Sequence, residues 1–334
     1  MVRVRFAPSP TGTLHVGNAL SAVINRREGD WLLLRIDDTD PARNVSGGEE
    51  AILEDLGWIG IEWDEGPVRQ SARQERYREA AERLGTDRFD GITLLREDGT
   101  ATYHLASVVD DADFGITHVF RGNDHRSNED LHRRLREALG TTPPQYVHHG
   151  LILGEDGKKL SKRAAGATVA SLREMGIPAV AVRAYLEELG LPRHDVHYDL
   201  SRLRRLALDA IGSLSDDKLA ELAGAPLEVV PAMRGARDLV EARGIAEAIL
   251  SPPPVRATSS PETLERFREL RARANGQLDP EGAKAILREL KAVGGDLRAL
   301  RLALTGAERG PELWTVLVAL SREEALRRAE QAAP

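Results

Sequence analysis

Cysteine is absent from this chain of 334 residues. The protein therefore has no disulfide framework and no thiolate ligands for a structural zinc ion. The sequence also lacks any run of about 18 apolar residues, so it predicts no membrane span. A strand pattern, rather than an apolar signal segment, occupies the first residues. We therefore expect a cytoplasmic protein.

Basic residues are fewer than acidic ones, 46 against 53, which gives a formal net charge of −7. This balance argues against a surface coated throughout by nucleic acid, although it leaves room for a local basic face. Two common nucleotide-binding fingerprints are missing as well. The N-terminal turn contains no G-x-G-x-x-G. Gly12 and Gly17 have P-loop spacing, but Asn18 and Ala19 follow them where Lys and Ser/Thr are required.

A strand, a turn and a helix open the chain. Residues 2–6 alternate between apolar and basic side chains, which predicts a strand. Residues 7–14 are rich in Pro, Ser, Thr and Gly, and apolar residues recur at helical spacing from Val16 onward. A helix that begins near His15 presents free N–H groups and the positive end of its dipole, which suits a phosphate. Taken alone, a structural turn with a surface histidine explains the segment equally well.

A buried strand and an acidic cluster come next. Residues 31–36 are almost continuously apolar, which is typical of a strand within a parallel sheet. With the first strand and helix they predict a βαβ unit. Ligands of such sheets bind at the carboxyl ends of the strands, where the 7–12 turn and Asp37–Asp40 both fall. The alternative for Asp37–Asp40 is a solvated loop that caps the next helix.

Two further segments have side chains suited to anions. Val119 and Phe120 predict a buried strand, which places Arg121 at its carboxyl end. An arginine there can hold a carboxylate through two parallel hydrogen bonds, and Tyr103 can add a hydroxyl. A surface ion pair for Arg121 and core packing for Tyr103 are the alternatives. Residues 155–163 form a charged, glycine-containing loop whose lysines can neutralise a triphosphate, although most charge runs are only solvated loops.

Together these segments resemble the glutamyl-tRNA synthetases, a family of class I aminoacyl-tRNA synthetases. Residues 5–18 are similar to the family's N-terminal signature, in which His15–Asn18 corresponds to the class I "HIGH" element. Residues 159–163 resemble the "KMSKS" loop in its Lys-Leu-Ser-Lys-Arg form. Residues 35–40 resemble the family's Arg-Ile-Glu-Asp-Thr-Asp, with Asp37 in place of the Glu that helps hold the substrate amino group. The likeness covers residues 2–192 and, less closely, 297–330.

The resemblance implies three sets of site residues, two of which share His15 and Lys162. The catalytic set is His15, Lys159 and Lys162. The set for the substrate amino acid is Arg5, Ala7, Ser9, Asp37, Tyr103, Ser107 (an Asn in the family) and Arg121. The set for ATP is Pro8, Thr11, Gly12, His15, Gly17, Asn18, Asp124, Leu160, Ser161, Lys162 and Arg163. Mg²⁺ would accompany ATP, no zinc is expected, and the adjacent His148 and His149 are predicted to have no metal role.

The resemblance also implies a fold class and a domain plan. We expect an α/β fold, with a class I synthetase-type, Rossmann-like parallel sheet domain at residues 1–195 followed by an all-helical C-terminal region. That region would comprise a connecting, stem-contact-like part at 196–250 and a reduced anticodon-binding-like domain at 251–334. We expect the family's acceptor-binding insertion to be deleted near residues 85–92, since eight residues are too few to form a domain.

Shorter patterns complete the prediction of local structure. Composition predicts a linker at residues 251–261. Helical spacing predicts further helices at residues 168–175, 178–189, 200–208, 215–222, 262–274, 280–293, 296–304 and 312–331.

Three functions follow from this pattern. The first is a ligase that activates L-glutamate with ATP to glutamyl-adenylate and transfers the acyl group to tRNA. The second is a tRNA-independent amino-acid ligase, which passes the activated amino acid to a small molecule, a carrier protein or a modified base. The third is a non-catalytic paralogue that binds RNA or protein. The intact segments around His15 and Lys159 weigh against the third.

Overall fold

Strand β1 (Arg3–Phe6) leads through a turn into helix α1 (Val16–Glu28) and strand β2 (Trp31–Ile36) in the computed structural model, which describes residues 1–252 and 260–333. The later strands are β3 (Glu65–Arg69), β4 (Arg88–Phe89), β5 (Ile92–Thr93), β6 (His118–Gly122), β7 (Gln145–His149), β8 (Ile152–Leu153) and β9 (Val196–His197). The later helices are α2 (Gly48–Trp58), α3 (Gln74–Leu84), α4 (Tyr103–Asp113), α5 (Glu129–Ala138), α6 (Val169–Glu174), α7 (Ala179–Leu189), α8 (Leu200–Ser213), α9 (Asp216–Ala223), α10 (Val230–Met233), α11 (Leu239–Leu250), α12 (Pro261–Arg273), α13 (Pro280–Ala292), α14 (Leu297–Thr305), α15 (Leu313–Ala319) and α16 (Arg322–Gln331).

The longer strands run parallel. β1 pairs with β2, β2 pairs with β3, and β6 pairs with β7, all in parallel. β6 lies beside β1, where the Thr117 N–H donates to the Arg3 carbonyl at 2.9 Å. The strand order is therefore β3, β2, β1, β6, β7. Strands β2 and β3 are added on one side of β1, and β6 and β7 are added on its other side, so the order of strands reverses between β1 and β6. Ligands of such sheets bind at the carboxyl ends of the strands beside this reversal.

Apolar side chains of the first βαβ unit form the core beneath this edge. Val4 of β1 and Leu33 of β2 are fully buried, and so are Leu20 and Ile24 of α1. Each such side chain contributes roughly 1.5–3 kcal/mol when it leaves water. The predicted strand, turn, helix and buried strand at the start of the chain are confirmed. Arg35 is a charged residue among these apolar ones, and it is fully buried.

A short hairpin separates α3 from α4. β4 and β5 are antiparallel, with Arg88 opposite Thr93 and Phe89 opposite Ile92. The segment between Leu84 and Tyr103 therefore contains a two-stranded hairpin and loops rather than a domain. The sequence patterns did not predict α4, which begins at Tyr103 and sets the direction of that side chain.

The chain divides into two compact units. One consists of Met1–Glu174 and Ala179–Leu203 and contains all the strands. The other consists of Met175–Pro178 and the described residues from Arg204 onward, whose regular elements are helices. A parallel α/β domain followed by an all-helical region is therefore confirmed. The finer division at residues 195 and 250 stays a prediction.

The second unit has its own hydrophobic core, which extends along the chain from Ile211 to Ala332. Most predicted helices lie within two residues of their observed ends, but the helix predicted at 200–208 continues to Ser213. The single helix predicted at 312–331 is wrong. Leu320 is extended, and the Ser321 hydroxyl accepts a hydrogen bond from the Glu324 N–H, so a new helix begins there.

Two predictions concern the remaining parts of the chain. Most of the linker predicted at residues 251–261 lies outside the described residues. Within residues 1–252 and 260–333, no helix has both the length and the apolar character needed to cross a membrane.

Candidate active site

A cavity of about 770 Å³ lies at the carboxyl ends of β1, β6 and β7, within the first unit. It brings together most of the predicted site residues. They are Arg5, Ala7, Pro8, Ser9, Thr11, His15, Gly17, Asn18, Asp37, Tyr103, Arg121, Asp124, Lys159, Leu160 and Lys162.

Four predicted residues do not line this cavity. Gly12 lies in the turn between β1 and α1, where its φ of 95° is a conformation that favours glycine. Ser107 lies beneath the cavity, buried on α4, where its hydroxyl accepts a hydrogen bond from Arg35 at 3.4 Å. Ser161 and Arg163 are exposed on the charged loop of residues 155–163. The geometry therefore predicts no direct contact between these four residues and a ligand in this cavity.

His15 is the N-cap of α1. Its Nδ1 accepts a hydrogen bond from the Gly17 N–H at 3.1 Å. A neutral imidazole that accepts at Nδ1 carries its proton on Nε2. That Nε2 is buried and has no hydrogen-bond partner among the described residues. Burial, followed by the charges of Lys159 and Lys162, lowers the pKa of His15, while the Leu160 backbone acts in the opposite direction. The ring is therefore a neutral donor on the cavity wall.

Two lysines extend from the loop after β8. The Lys159 Nζ lies 2.5 Å from the Asp124 Oδ2, and the hydrogen bond lowers the pKa of Asp124 although burial opposes this shift. The Lys162 Nζ donates to the carbonyl and the hydroxyl of Thr11 at 3.2 and 3.3 Å. The loop therefore reaches the N-terminal turn, and its cations stand where they can neutralise a phosphate chain.

Arg121 is a buried charge of the cavity that its neighbours satisfy only in part. Only 6% of it is exposed, yet its Nη1 and Nη2 have no hydrogen-bond partner in residues 1–252 or 260–333. Burial lowers the pKa of Arg121, but a guanidinium stays charged in proteins. Arg5 is equally buried, and its Nε lies 3.3 Å from the Asp111 carboxylate. A buried cation with two free donors is costly unless an anion satisfies it.

Asp37 belongs to a buried ion-pair network centred on Arg35. Arg35 donates to both Asp37 oxygens, at 2.7 and 3.2 Å, and to Asp111 at 2.7 Å. Asp110 lies 3.7 Å from the same guanidinium. Burial raises the pKa of Asp37 against the opposing charge of Arg35, while Arg5 and Arg35 lower the pKa of Asp111 against burial. The predicted acidic site residue is thus held rigidly at the edge of the cavity.

Histidine rings surround Tyr103 at the wall of the cavity. Its ring centroid lies 5.7 Å from that of His132 and 6.2 Å from that of His125. The His104 Nδ1 and the His132 Nε2 are 3.1 Å apart. Burial, followed by the charge of Arg121, lowers the pKa of His104 and lowers that of His132 to about 3. These rings are neutral at pH 7, so the positive charge of this region resides on the arginines.

The sequence patterns did not predict several other lining residues. The Ser21 hydroxyl lies 2.8 Å from the His149 Nε2, and the His149 Nδ1 lies 2.9 Å from the Gly150 carbonyl. Ser21 is one helical turn after Gly17, a spacing that could have indicated it. His149 had no such signal, because only the fold brings β7 beside α1. The lining also includes Arg43, Asn44, Arg96 and His125, together with Asp40 from the acidic cluster that the sequence did predict.

Comparison with known proteins gives one family for this chain. The family described as tRNA synthetases class I (E and Q), catalytic domain, matches residues 1–87 and 84–203. The glutamate–tRNA ligase 1 of Rubrobacter xylanophilus is 34% identical over 428 positions, which cover 99% of this chain and 97% of that protein. The glutamate–tRNA ligase 1 of a Jannaschia species is 31% identical, over 99% and 98% of the two chains.

The fold also matches solved structures. A glutamate tRNA ligase from Elizabethkingia meningosepticum, crystallised in complex with its amino acid, superimposes with a TM-score of 0.77 over 99% of both chains. The two sequences are 23% identical, so this likeness supports the fold alone.

The alignments also bear on the predicted deletion of the insertion. The Rubrobacter alignment spans 428 positions, more than the 334 residues of this chain, so that protein has residues without a counterpart here. The two segments matched by the family meet at residues 84–87, directly before the β4–β5 hairpin. Both findings support the deletion near residues 85–92, which stays a prediction.

Proposed function

The chain belongs to the class I tRNA synthetases of the E and Q type, and we propose that it activates L-glutamate with ATP and transfers the glutamyl group to tRNA. The names of the full-length relatives, which are glutamate–tRNA ligases, support this substrate pair. A cytoplasmic location is part of the same proposal.

The observation that carries the proposal is the pair of free, buried Nη groups on Arg121 inside the cavity. A carboxylate matches this fork with two parallel hydrogen bonds, which gives both charge and geometric selection. We assign this position to the side-chain carboxylate of glutamate. Arg5 adds a second positive charge and Tyr103 a hydroxyl on the same side.

The first chemical step joins the amino acid to AMP. The α-carboxylate of glutamate attacks the α-phosphorus of ATP, a new C–O–P linkage forms, and the bond to pyrophosphate breaks. His15 donates its Nε2–H to a phosphate oxygen, and Lys159 and Lys162 neutralise the charge that develops on the leaving pyrophosphate. No side chain forms a covalent bond, so the rate depends on positioning and on charge stabilisation.

Mg²⁺ would enter with ATP as part of the substrate. In the part of the chain that the structure describes, no three His, Cys, Asp or Glu side chains form a group suited to a metal ion. This fits an ion held mainly by phosphate oxygens, with few protein ligands. When bound, it would neutralise charge on the phosphates. The proposal includes no zinc ion.

The second step transfers the glutamyl group. A ribose hydroxyl at the end of tRNA attacks the carbonyl carbon of the adenylate, the ester forms, and AMP leaves with the bonding electron pair. A different acceptor is the second candidate. The short β4–β5 hairpin favours it, because this segment is too small for a domain that could hold the acceptor end of an RNA.

ATP–pyrophosphate exchange with each amino acid, with and without tRNA, tests the proposal. Glutamate-dependent exchange together with formation of glutamyl-tRNA is the expected result. Glutamate-dependent exchange without charging of any tRNA would leave the second candidate in place. An absence of exchange under every condition would contradict both ligase functions and favour a non-catalytic binding protein.

A further inference from the structure

We propose that His148, held by Glu129, is a positioning residue that orients Arg121 so that both its Nη groups face the substrate carboxylate. This role rests on the proposed function, in which Arg121 binds that carboxylate. Neither His148 nor Glu129 belongs to the set of site residues predicted from the sequence.

Strand register brings His148 to Arg121. β6 and β7 are parallel, and Arg121 stands directly opposite His148. The Arg121 Nε donates to the His148 Nε2 at 3.2 Å. This contact occupies the one guanidinium donor that a bidentate carboxylate need not use. It leaves Nη1 and Nη2 as the free pair, in agreement with their lack of partners among the described residues.

The contact requires one form of the histidine. Because Nε2 accepts from Arg121, the neutral ring must carry its proton on Nδ1. The His148 Nδ1 lies 3.4 Å from the Glu129 Oε2, so a carboxylate faces that proton. Burial, followed by the charge of Arg121, lowers the pKa of His148 to about 4. The ring is therefore neutral at pH 7, and its Nε2 lone pair is available.

Glu129 is itself held in place. It is the first residue of α5, where the helix dipole favours a negative charge. Its Oε1 accepts from the Arg133 Nε at 2.9 Å, so its two oxygens face different partners. An ordered carboxylate on the far side of the imidazole selects one tautomer and one ring orientation.

Tyr146 restricts the guanidinium from another direction. Strand alternation places Tyr146 and His148 on the same face of β7, and their rings lie 6.5 Å apart at an interplanar angle of 13°. The Arg121 Cζ is 4.8 Å from the Tyr146 ring centroid, within the range of a cation–π contact. An aromatic ring and an imidazole acceptor thus constrain Arg121 while its outer edge remains open to the cavity.

The test compares replacements of His148 in glutamate-dependent exchange. His148→Leu removes the acceptor, and we expect KM for glutamate to rise roughly ten- to hundredfold, the range for a hydrogen bond to a charged group. KM for ATP should stay unchanged, because Arg121 does not contact ATP in this scheme. His148→Gln should restore most of the affinity, since its amide oxygen can accept from the Arg121 Nε.

Two controls separate positioning from folding. His118→Gln changes a histidine of the neighbouring strand β6 that does not line the cavity, and it should leave both KM values unchanged. Thermal unfolding reports whether each variant is folded. If His148→Leu does not fold, His148→Asn replaces it, because the shorter amide does not extend to the position of Nε2.

The outcomes are distinct. A selective rise in KM for glutamate in the Leu or Asn variant, with recovery in the Gln variant, supports the positioning role. A wild-type KM for glutamate in the Leu or Asn variant overturns that role and leaves the proposed function intact. A wild-type protein that performs no glutamate-dependent exchange, with or without tRNA, overturns both.

Discussion

Replacement of Arg121 by leucine should abolish amino-acid recognition while the protein remains folded. Arg121 is 6% exposed, and its Nη1 and Nη2 have no partner in the described residues. Each of these groups would form one charge-assisted hydrogen bond with a carboxylate. At about 1.5–3 kcal/mol each, the two bonds correspond to roughly 3–6 kcal/mol, or about 10²- to 10⁴-fold in kcat/KM for glutamate.

The stability of this variant is an independent prediction from the same geometry. A buried donor without a partner costs about 1–3 kcal/mol, and leucine removes two of them. The replacement also removes the contacts with His148 and Tyr146, which offset part of that gain. We therefore expect the melting temperature of the ligand-free variant to match or exceed that of the wild type. A residue retained for binding rather than for folding has this signature.

The assay is ATP–pyrophosphate exchange over a range of glutamate and ATP concentrations, with thermal unfolding measured in parallel. Arg121→Lys keeps the positive charge but lacks the planar fork, so it should recover only part of kcat/KM. Arg134→Ala is the matched control, because Arg134 pairs with Asp90 and Asp130 on the surface. Wild-type glutamate dependence in Arg121→Leu would refute the assignment of Arg121 to the carboxylate.

Three further predictions follow from the first unit. Arg35→Leu leaves three buried carboxylates without their shared cation. It should therefore lower the free energy of unfolding, measured in urea, by about 3–5 kcal/mol; an unchanged urea midpoint would show that the ion-pair network does not stabilise the fold. Lys162→Ala should reduce kcat for exchange at least tenfold, on the order expected for one lost electrostatic donor, while Lys158→Ala, an exposed neighbour, should not; equal effects would remove Lys162 from the phosphate site. His132 has its pKa lowered to about 3 by burial, below the unfolded value of about 6.5, so its contribution to stability is present above pH 6.5 and is lost as pH falls toward 3. His132→Gln should therefore lose less stability than the wild type between about pH 6.5 and pH 4 in thermal unfolding; parallel curves would show that His132 does not titrate in this way.

Local structure and the main sites were readable from residue patterns. The alternation in residues 2–6, the apolar run at 31–36 and the turn between them predicted a βαβ unit that the structure confirms. Strand ends in a parallel sheet predicted a shared edge for the turn before His15 and for Arg121, and the family resemblance of residues 159–163 added Lys162 to the same site. His15, Arg121 and Lys162 line the same cavity. Their individual roles stay predictions until the assays are done.

The division between the last two helices, α15 and α16, was not readable in the same way. Helical spacing continues across residues 319–322, and only the observed cap at Ser321 shows that two helices meet there. Ser107 is a similar case. Its position in a family motif suggested contact with the substrate, whereas the fold places it beneath the cavity beside Arg35.

The sequence by itself determined most of the strands and helices and showed which segments carry the side chains proposed to bind phosphate and carboxylate, because those properties depend on residues close together in the chain. Tertiary structure alone decided which neighbours each charge has. Arg121 meets His148 through the register of two parallel strands, and Arg35 meets Asp111 across 76 positions of sequence. Such contacts depend on how distant elements pack, and burial then determines whether each charge is paired or left free for a ligand.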